Sequence, residues 1–390
     1  MRYFGLLLVV LVLLAACSSS PEPATSNEAN ADLIPGQYIV VLEQDGLEVM
    51  AEDEAVFTAR IESVSRELGV KLLEPLQIIN GFSAAFDASK LAAVENNARV
   101  KYVEQDQWAY ATDIQRNPPS WGLDRIDSRA LNGAYEYNST GAGVNVYVLD
   151  TGIRRSHSEF EGRAQAGADA VQDGRGSDDC TGHGTHVAGT IGGRTYGVAK
   201  RANLIPVRVL NCEGKGAYSR IIASVNWVAR NHRKPAVVNM SLSGGFSEAM
   251  DGAVNSSVSA GITYVVAAGN KQSNACDRSP ARASSAITVG ATDRSDSRSS
   301  FSNWGGCVDL FAPGSSILSA GINGNTSTST KSGTSMATPH VTGVVALILE
   351  TNPNVSPAAI INYLNDVSSK DIVRDAGPGS PNRLLWKGNR

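Results

Sequence analysis

The sequence has little net charge, few cysteines and histidines, and no internal repeat. Lys and Arg number 34 against 38 Asp and Glu in 390 residues, a formal net charge of −4. Without basic clusters, the chain is not an electrostatically driven nucleic-acid binder. Its one strongly apolar run, residues 4–16, is too short to span a bilayer as a mature helix. Apolar residues make up 42% and charged residues 18%, a balance that excludes a largely disordered chain. At about 150 residues per domain the length allows two or three domains and one large core. Gly is abundant (38), so many tight turns are expected.

Met1-Arg2 followed by the apolar run makes residues 1–16 an expected export signal, set apart from the fold. Leu14-Ala15-Ala16-Cys17 has the form of a bacterial lipobox, in which Cys17 is lipidated and becomes the new terminus. The alternative is an ordinary signal peptide that happens to hold a cysteine. Residues 17–32, rich in Ser, Pro, Asn and Ala, read as a lipid-anchored linker. Four cysteines remain, Cys180, Cys212, Cys276 and Cys307, in an exported region where disulfides persist. Four cysteines allow three pairings, and spacing alone does not choose among them.

Residues 33–105 show a β-α-β-β-α-β order: strands at 37–42 and 101–103, helices at 52–68 and 88–97, and a hairpin over 76–86 turning at Asn80-Gly81. That order fits a small α+β, ferredoxin-like domain. After Asn117-Pro118-Pro119, apolar β-branched runs alternate with helical segments. Strands are expected at 144–149, 203–210, 236–242, 263–268, 286–291 and 308–311, and helices at 183–192, 219–230, 248–260, 334–350 and 357–367. The strands lack polar alternation, as strands covered on both faces do. The expected fold is therefore α/β, a doubly wound parallel sheet with chemistry at the carboxyl ends of its strands.

Four segments place reactive groups at that edge. The apolar run ending Val148-Leu149-Asp150-Thr151-Gly152 delivers a carboxylate; alone, Asp150 could simply cap a turn. Gly182-His183-Gly184-Thr185-His186 puts His183 at a helix start among small residues that let a substrate approach. The His183-x-x-His186 spacing also permits a metal reading, but no Glu lies between the two and His157, His232 and His340 show no ligand-like spacing. Gly333-Thr334-Ser335-Met336 places Ser335 in the first turn of an apolar helix, as a nucleophile or as an N-cap. Ala268-Gly269-Asn270 ends another strand, with Asn270 an oxyanion donor or a turn residue. Together the acid, base, hydroxyl and amide are what acyl transfer needs.

At these motifs the chain resembles the subtilisin-like serine proteases, in the branch of proteinase K and aqualysin. Val148-Leu149-Asp150-Thr151-Gly152-Ile153, Gly182-His183-Gly184-Thr185-His186-Val187-Ala188-Gly189 and Gly333-Thr334-Ser335-Met336-Ala337-Thr338-Pro339-His340-Val341 match almost residue for residue. The order Asp…His…Ser is the one subtilisin itself carries. The resemblance implies a subtilisin-like catalytic domain over 111–390, with Asp150, His183 and Ser335 as triad and Asn270 in the oxyanion hole. It implies that Ser241, Leu242, Ser243, Gly244 and Gly245 pair with substrate, and that Ala267, Ala268 and Gly269 wall the P1 pocket. The family usually has Gly where this chain has Ser243, which bears on subsite width. Val187 stands where proteinase K has a cysteine.

The same resemblance pairs Cys180 with Cys212 and Cys276 with Cys307. It implies structural Ca²⁺ on the Asp309 carboxylate and the Ser284 and Ala286 carbonyls, with a second site near Asp124 and Asp127, whose alternative is solvated charge beside Arg125. Residues 33–110 resemble the family's inhibitory propeptide, which also acts as a chaperone. The implied product is a secreted endopeptidase made as a self-cleaving zymogen, cut between Tyr110 and Ala111, acting on polypeptides with apolar or aromatic P1. Its precursor would be lipid-anchored and its mature form extracellular and monomeric. No further domain is expected after Arg390.

Overall fold

A computed structural model describes residues 33–43, 52–107 and 113–388, and the chain divides between residues 109 and 110 into two compact units. The expected export signal, Cys17, the linker and the Tyr110–Ala111 processing point lie outside the described residues. Among the described residues no helix is long and apolar enough to cross a membrane.

The first unit carries β1 (Leu33–Leu42), β2 (Lys71–Leu76), β3 (Gly81–Ala85) and β4 (Val100–Gln107) in one antiparallel sheet of order β2-β3-β1-β4. Helices Glu54–Glu67 and Leu91–Glu95 complete the expected β-α-β-β-α-β order. Asp53 caps the longer helix by accepting the Ala55 N–H at 2.9 Å. Phe57, Ile61 and Val64, spaced four and three apart, bury one stripe of that helix against Val40, Phe82 and Ala84. The expected hairpin over 76–86 is displaced. Its first arm is Lys71–Leu76, and the connection is a 3₁₀ turn over Gln77–Ile79 closed by Asn80 at φ 49°. Gly81 already belongs to β3, where an added Cβ would stand 2.5 Å from the Val40 carbonyl oxygen.

The second unit carries β5 (Asp113–Arg116), β6 (Ala134–Tyr137), β7 (Asn145–Asp150), β8 (Ala168–Asp169), β9 (Asn203–Arg208), β10 (Ala236–Met240), β11 (Thr263–Ala267), β12 (Ile287–Thr292), β13 (Leu310–Pro313), β14 (Ile317–Ala320), β15 (Thr328–Lys331), β16 (Ser369–Lys370) and β17 (Arg383–Leu384). Nine of them form one sheet, in the order β16-β17-β13-β12-β11-β10-β7-β9-β8. Every pairing in it is parallel except β16 with β17. Alternation along the central strands splits the core into two layers. Val146, Val148, Val237 and Val265 face one cluster with the helices His183–Gly192 and Thr334–Thr351. Tyr147, Leu149, Val238 and Val266 face the other, with Tyr218–Asn231 and Glu248–Ser259. Helices thus cover both faces, as the apolar strands require.

Residues 334–349 of the Thr334–Thr351 helix are buried on all sides, so that helix runs through the core rather than along it. Cys180 is bonded to Cys212 and Cys276 to Cys307. The β5–β6 and β14–β15 hairpins and the two-residue strands were not expected from the sequence.

Candidate active site

Strand β7 ends at Asp150, which is fully buried. Its Oδ1 accepts the Thr151 N–H at 2.7 Å and stands 2.7 Å from His183 Nδ1, while Oδ2 has no partner among the described residues. His183 opens its helix after Gly182, whose φ of 82° favours glycine. The ring is 29% exposed, open on the side away from Asp150. Gly184 is required by close approach: an added Cβ would lie 2.1 Å from the Gly152 carbonyl oxygen. Burial pushes the imidazole's affinity for protons down, but the charge and hydrogen bond of Asp150 outweigh it and hold His183 above 6.5.

Asp179 organises this corner and was missed from the sequence. Its Oδ1 accepts the Thr181 N–H, the Gly182 N–H and the Thr151 hydroxyl. Its Oδ2 accepts the Thr185 N–H and hydroxyl. A carboxylate at a helix start both caps open N–H groups and complements the helix dipole. Gly182, not Asp179, is the N-cap of the His183 helix, so no capping signal in the sequence marks Asp179.

His186 does not share a ligand with His183. Its Nε2 donates to the Ile317 carbonyl at 2.9 Å, and burial pushes it down to about 4, a neutral structural imidazole. His340 likewise bonds the Met336 carbonyl, with burial pushing it down to about 4. One nitrogen of each of these two rings is committed to a backbone carbonyl, and no group of three or more His, Cys, Asp or Glu among the described residues is placed to hold a metal ion.

Ser335 lies in the first turn of its helix. Its hydroxyl donates to the Ser241 carbonyl at 3.1 Å, and the Ser241 hydroxyl donates to the Ser335 carbonyl at 3.0 Å. Beneath them Thr342 donates to Asn239 Oδ1 and Asn239 Nδ2 donates to Ser241 Oγ, a fully buried polar chain. Asn270 Oδ1 accepts both the Thr334 N–H at 2.8 Å and the Thr334 hydroxyl at 2.9 Å. That fixes the amide orientation and leaves its NH₂ to face the cleft.

The cleft encloses about 830 Å³ between residues 241–245 and the opposing loop after β11. Gly244 N–H donates to the Ser279 carbonyl, and the Tyr218 hydroxyl to the Gly245 carbonyl, so the outer edge of residues 241–245 is pinned. Ala267 and Gly269 line the cleft. Ala268 does not: its side chain packs behind with Ala275, Ala281 and Phe311, and its carbonyl is held by Asn303 Nδ2. Ser243 narrows the slot, since a Cβ on Gly269 would meet Ser243 Oγ at 2.9 Å.

Asp309 is part-buried, with Oδ2 accepting the Thr288 N–H and no ion-pair partner among the described residues. Burial pushes its carboxyl up to about 6. Such a carboxylate, with the Ser284 and Ala286 carbonyls, is an all-oxygen donor set of the kind Ca²⁺ takes. The alternative of solvated charge at Asp124 and Asp127 is corrected, since both side chains are buried. Asp124 accepts the Asn132 and Gly133 N–H groups, and Asp127 pairs with Lys387 at 2.9 Å and accepts the Glu136 N–H. Both carboxylates are occupied by protein donors.

The subtilase family model matches residues 141–383, and the peptidase inhibitor I9 model matches residues 37–111. The chain is 48% identical over 402 residues to an extracellular serine proteinase of Thermus sp. (strain Rt41A), covering 97% of this chain and 98% of that protein. It is 46% identical to alkaline serine exoprotease A of Vibrio alginolyticus, covering 93% of this chain and 70% of that protein. The crystal structure of a cold adapted subtilisin-like serine proteinase is similar with a TM-score of 0.67 at 52% identity, over 68% of this chain and 97% of that one.

Proposed function

The chain belongs to the subtilase family, and from that premise we propose that it cuts polypeptides with Asp150, His183 and Ser335 as triad and Asn270 as oxyanion donor. It is a secreted serine endopeptidase with an I9 inhibitor propeptide. The observation that carries the site reading is the 2.7 Å contact of His183 Nδ1 with a fully buried carboxylate, on the same sheet edge as Ser335 and Asn270.

Asp150 holds the Nδ1–H tautomer, so His183 Nε2 is the basic nitrogen. Ser335 Oγ bonds to the scissile carbonyl carbon while its proton passes to Nε2. The oxygen gains negative charge and is held by the Asn270 NH₂ and the Ser335 N–H. The C–N bond breaks as Nε2–H protonates the leaving amine, giving an acyl-enzyme that water cleaves by the same steps. Ser335 itself supplies a coupling. Without substrate its hydroxyl rests on the Ser241 carbonyl. An extended substrate adding as a strand needs that carbonyl for its own N–H, and so turns the hydroxyl toward His183.

The small walls Ala267, Gly269, Gly244 and Gly245 support acceptance of apolar and aromatic P1 side chains. Cleavage between Tyr110 and Ala111 releases the mature enzyme, a monomer. With Cys17 lipidated on the propeptide side, maturation frees the protease from the membrane. The Asp309 carboxylate and the Ser284 and Ala286 carbonyls would hold structural Ca²⁺. The direct test is a sulfonyl fluoride: it should inactivate the protein with one adduct, located on Ser335 by peptide mass mapping. Full activity after treatment, or an adduct elsewhere, would overturn the assignment.

A further inference from the structure

The active-site cleft is positively charged although the chain is not. Four cations line it, Lys215, Lys271, Arg278 and Lys331, against one carboxylate, Glu213. Lys215 and Glu213 neutralise each other at 2.9 Å. Arg278 differs from the two remaining lysines, because its Nε is buried and has no hydrogen-bond partner among the described residues. It forms no ion pair with any described residue. Asp251, packed under the same segment, binds Arg282 and the Ser279 hydroxyl through Oδ2, while its Oδ1 is buried without a partner among the described residues and forms no hydrogen bond or ion pair with Arg278.

The backbone places this guanidinium. The P1 slot lies between two loops that leave the adjacent parallel strands β10 and β11. The chain leaving Asn270 returns across the slot, and its Ser279 carbonyl docks on the Gly244 N–H. That return segment closes the slot's far end. Ser279 turns its hydroxyl outward to Ser247 and Asp251, while Arg278, one residue earlier, lines the cleft. The walls thus offer small apolar groups to the stem of a side chain and a planar cation to its tip. A guanidinium matches a carboxylate with two parallel hydrogen bonds, and a buried unpaired N–H gains most from such a partner.

We propose that Arg278 is a specificity-determining residue whose guanidinium receives the carboxylate of a glutamate at P1, adding cleavage after Glu to the apolar side chains the walls accept. This rests on the protease reading above. The isostere Gln fills the same space without the charge and leaves the guanidinium uncompensated.

The test compares kcat/KM on peptides identical except for Glu, Gln or Phe at P1, with the mature wild type, Arg278→Leu and Arg278→Lys. The wild type should cleave after Glu at least about tenfold faster than after Gln. The ratio should fall to one or below in Arg278→Leu, while cleavage after Phe rises, and should be intermediate in Arg278→Lys. A wild-type ratio near one overturns the proposal without any variant. So does a high ratio that Arg278→Leu leaves in place. In both cases cleavage after Phe shows that the protease reading stands. Absence of cleavage of all three peptides, with no sulfonyl fluoride adduct, would defeat that reading as well.

Discussion

Ser335 and Ser241 hold each other by two hydrogen bonds, each hydroxyl donating to the other's carbonyl at 3.1 and 3.0 Å. The hydroxyl proposed as nucleophile is therefore tied to the segment after β10 that is proposed to receive substrate. Ser241 is also the last link of the buried chain from Thr342 through Asn239. Ser241→Ala leaves the Ser335 carbonyl and the Asn239 amide without their partner. The expected cost is about 1–3 kcal/mol of stability, read by urea denaturation of the inhibited enzyme. An unchanged midpoint would show the pair to be incidental.

The pH profile follows from His183. The proposed mechanism needs a neutral ring to accept the serine proton, and the charge and hydrogen bond of Asp150 raise that ring's pKa from the ordinary 6.5. Activity should fall as pH drops through that raised value. In Asp150→Asn the charge is gone, and burial and Lys331 both act to lower the value. The acid limb of kcat/KM should move to lower pH while kcat falls by about 10⁴. A limb that stays in place would disconnect Asp150 from the titrating group.

Asn270→Ala removes one of the two donors proposed for the developing oxyanion. A fall in kcat of about 10²–10³ with little change in KM is expected, because the interaction forms only as charge develops. Equal effects on substrate binding would make Asn270 a contact of the ground state. Thr334, which loses its acceptor in this variant, makes a modest loss of melting temperature a further expectation.

Calcium should raise the melting temperature of the mature enzyme, and chelation should lower it. Asp309→Asn should abolish most of that difference, since it removes the one carboxylate in the donor set. Calorimetry with and without chelator decides. An undiminished calcium effect in Asp309→Asn would move the ion elsewhere.

The long apolar strands and helices were legible because their pattern is set by burial on both sheet faces. The helices His183–Gly192 and Pro357–Val367 begin and end where the sequence placed them. Strands β14 and β15 were not, because Thr328–Lys331 is polar and becomes a strand only by pairing with Ile317–Ala320. The arm Lys71–Leu76 was hidden by Pro75 and by two charges. At the site, Asp150 and His183 could be named from their strand end and helix start. Asp179 could not, since its role depends on Thr151, just past the end of β7, meeting the turn and helix start at 181–185 on one carboxylate. Arg278 was silent for the same reason: only the docking of Ser279 on Gly244 brings it to the cleft.

The central claim is that this chain matures itself through Ser335. The most direct measurement is the intact mass of the expressed wild type beside Ser335→Ala, each with and without a sulfonyl fluoride. The expected result is a wild-type species beginning at or near Ala111 that gains one adduct, and a Ser335→Ala chain that stays unprocessed and unlabelled. Identical processing of both chains, with no adduct on either, would contradict it.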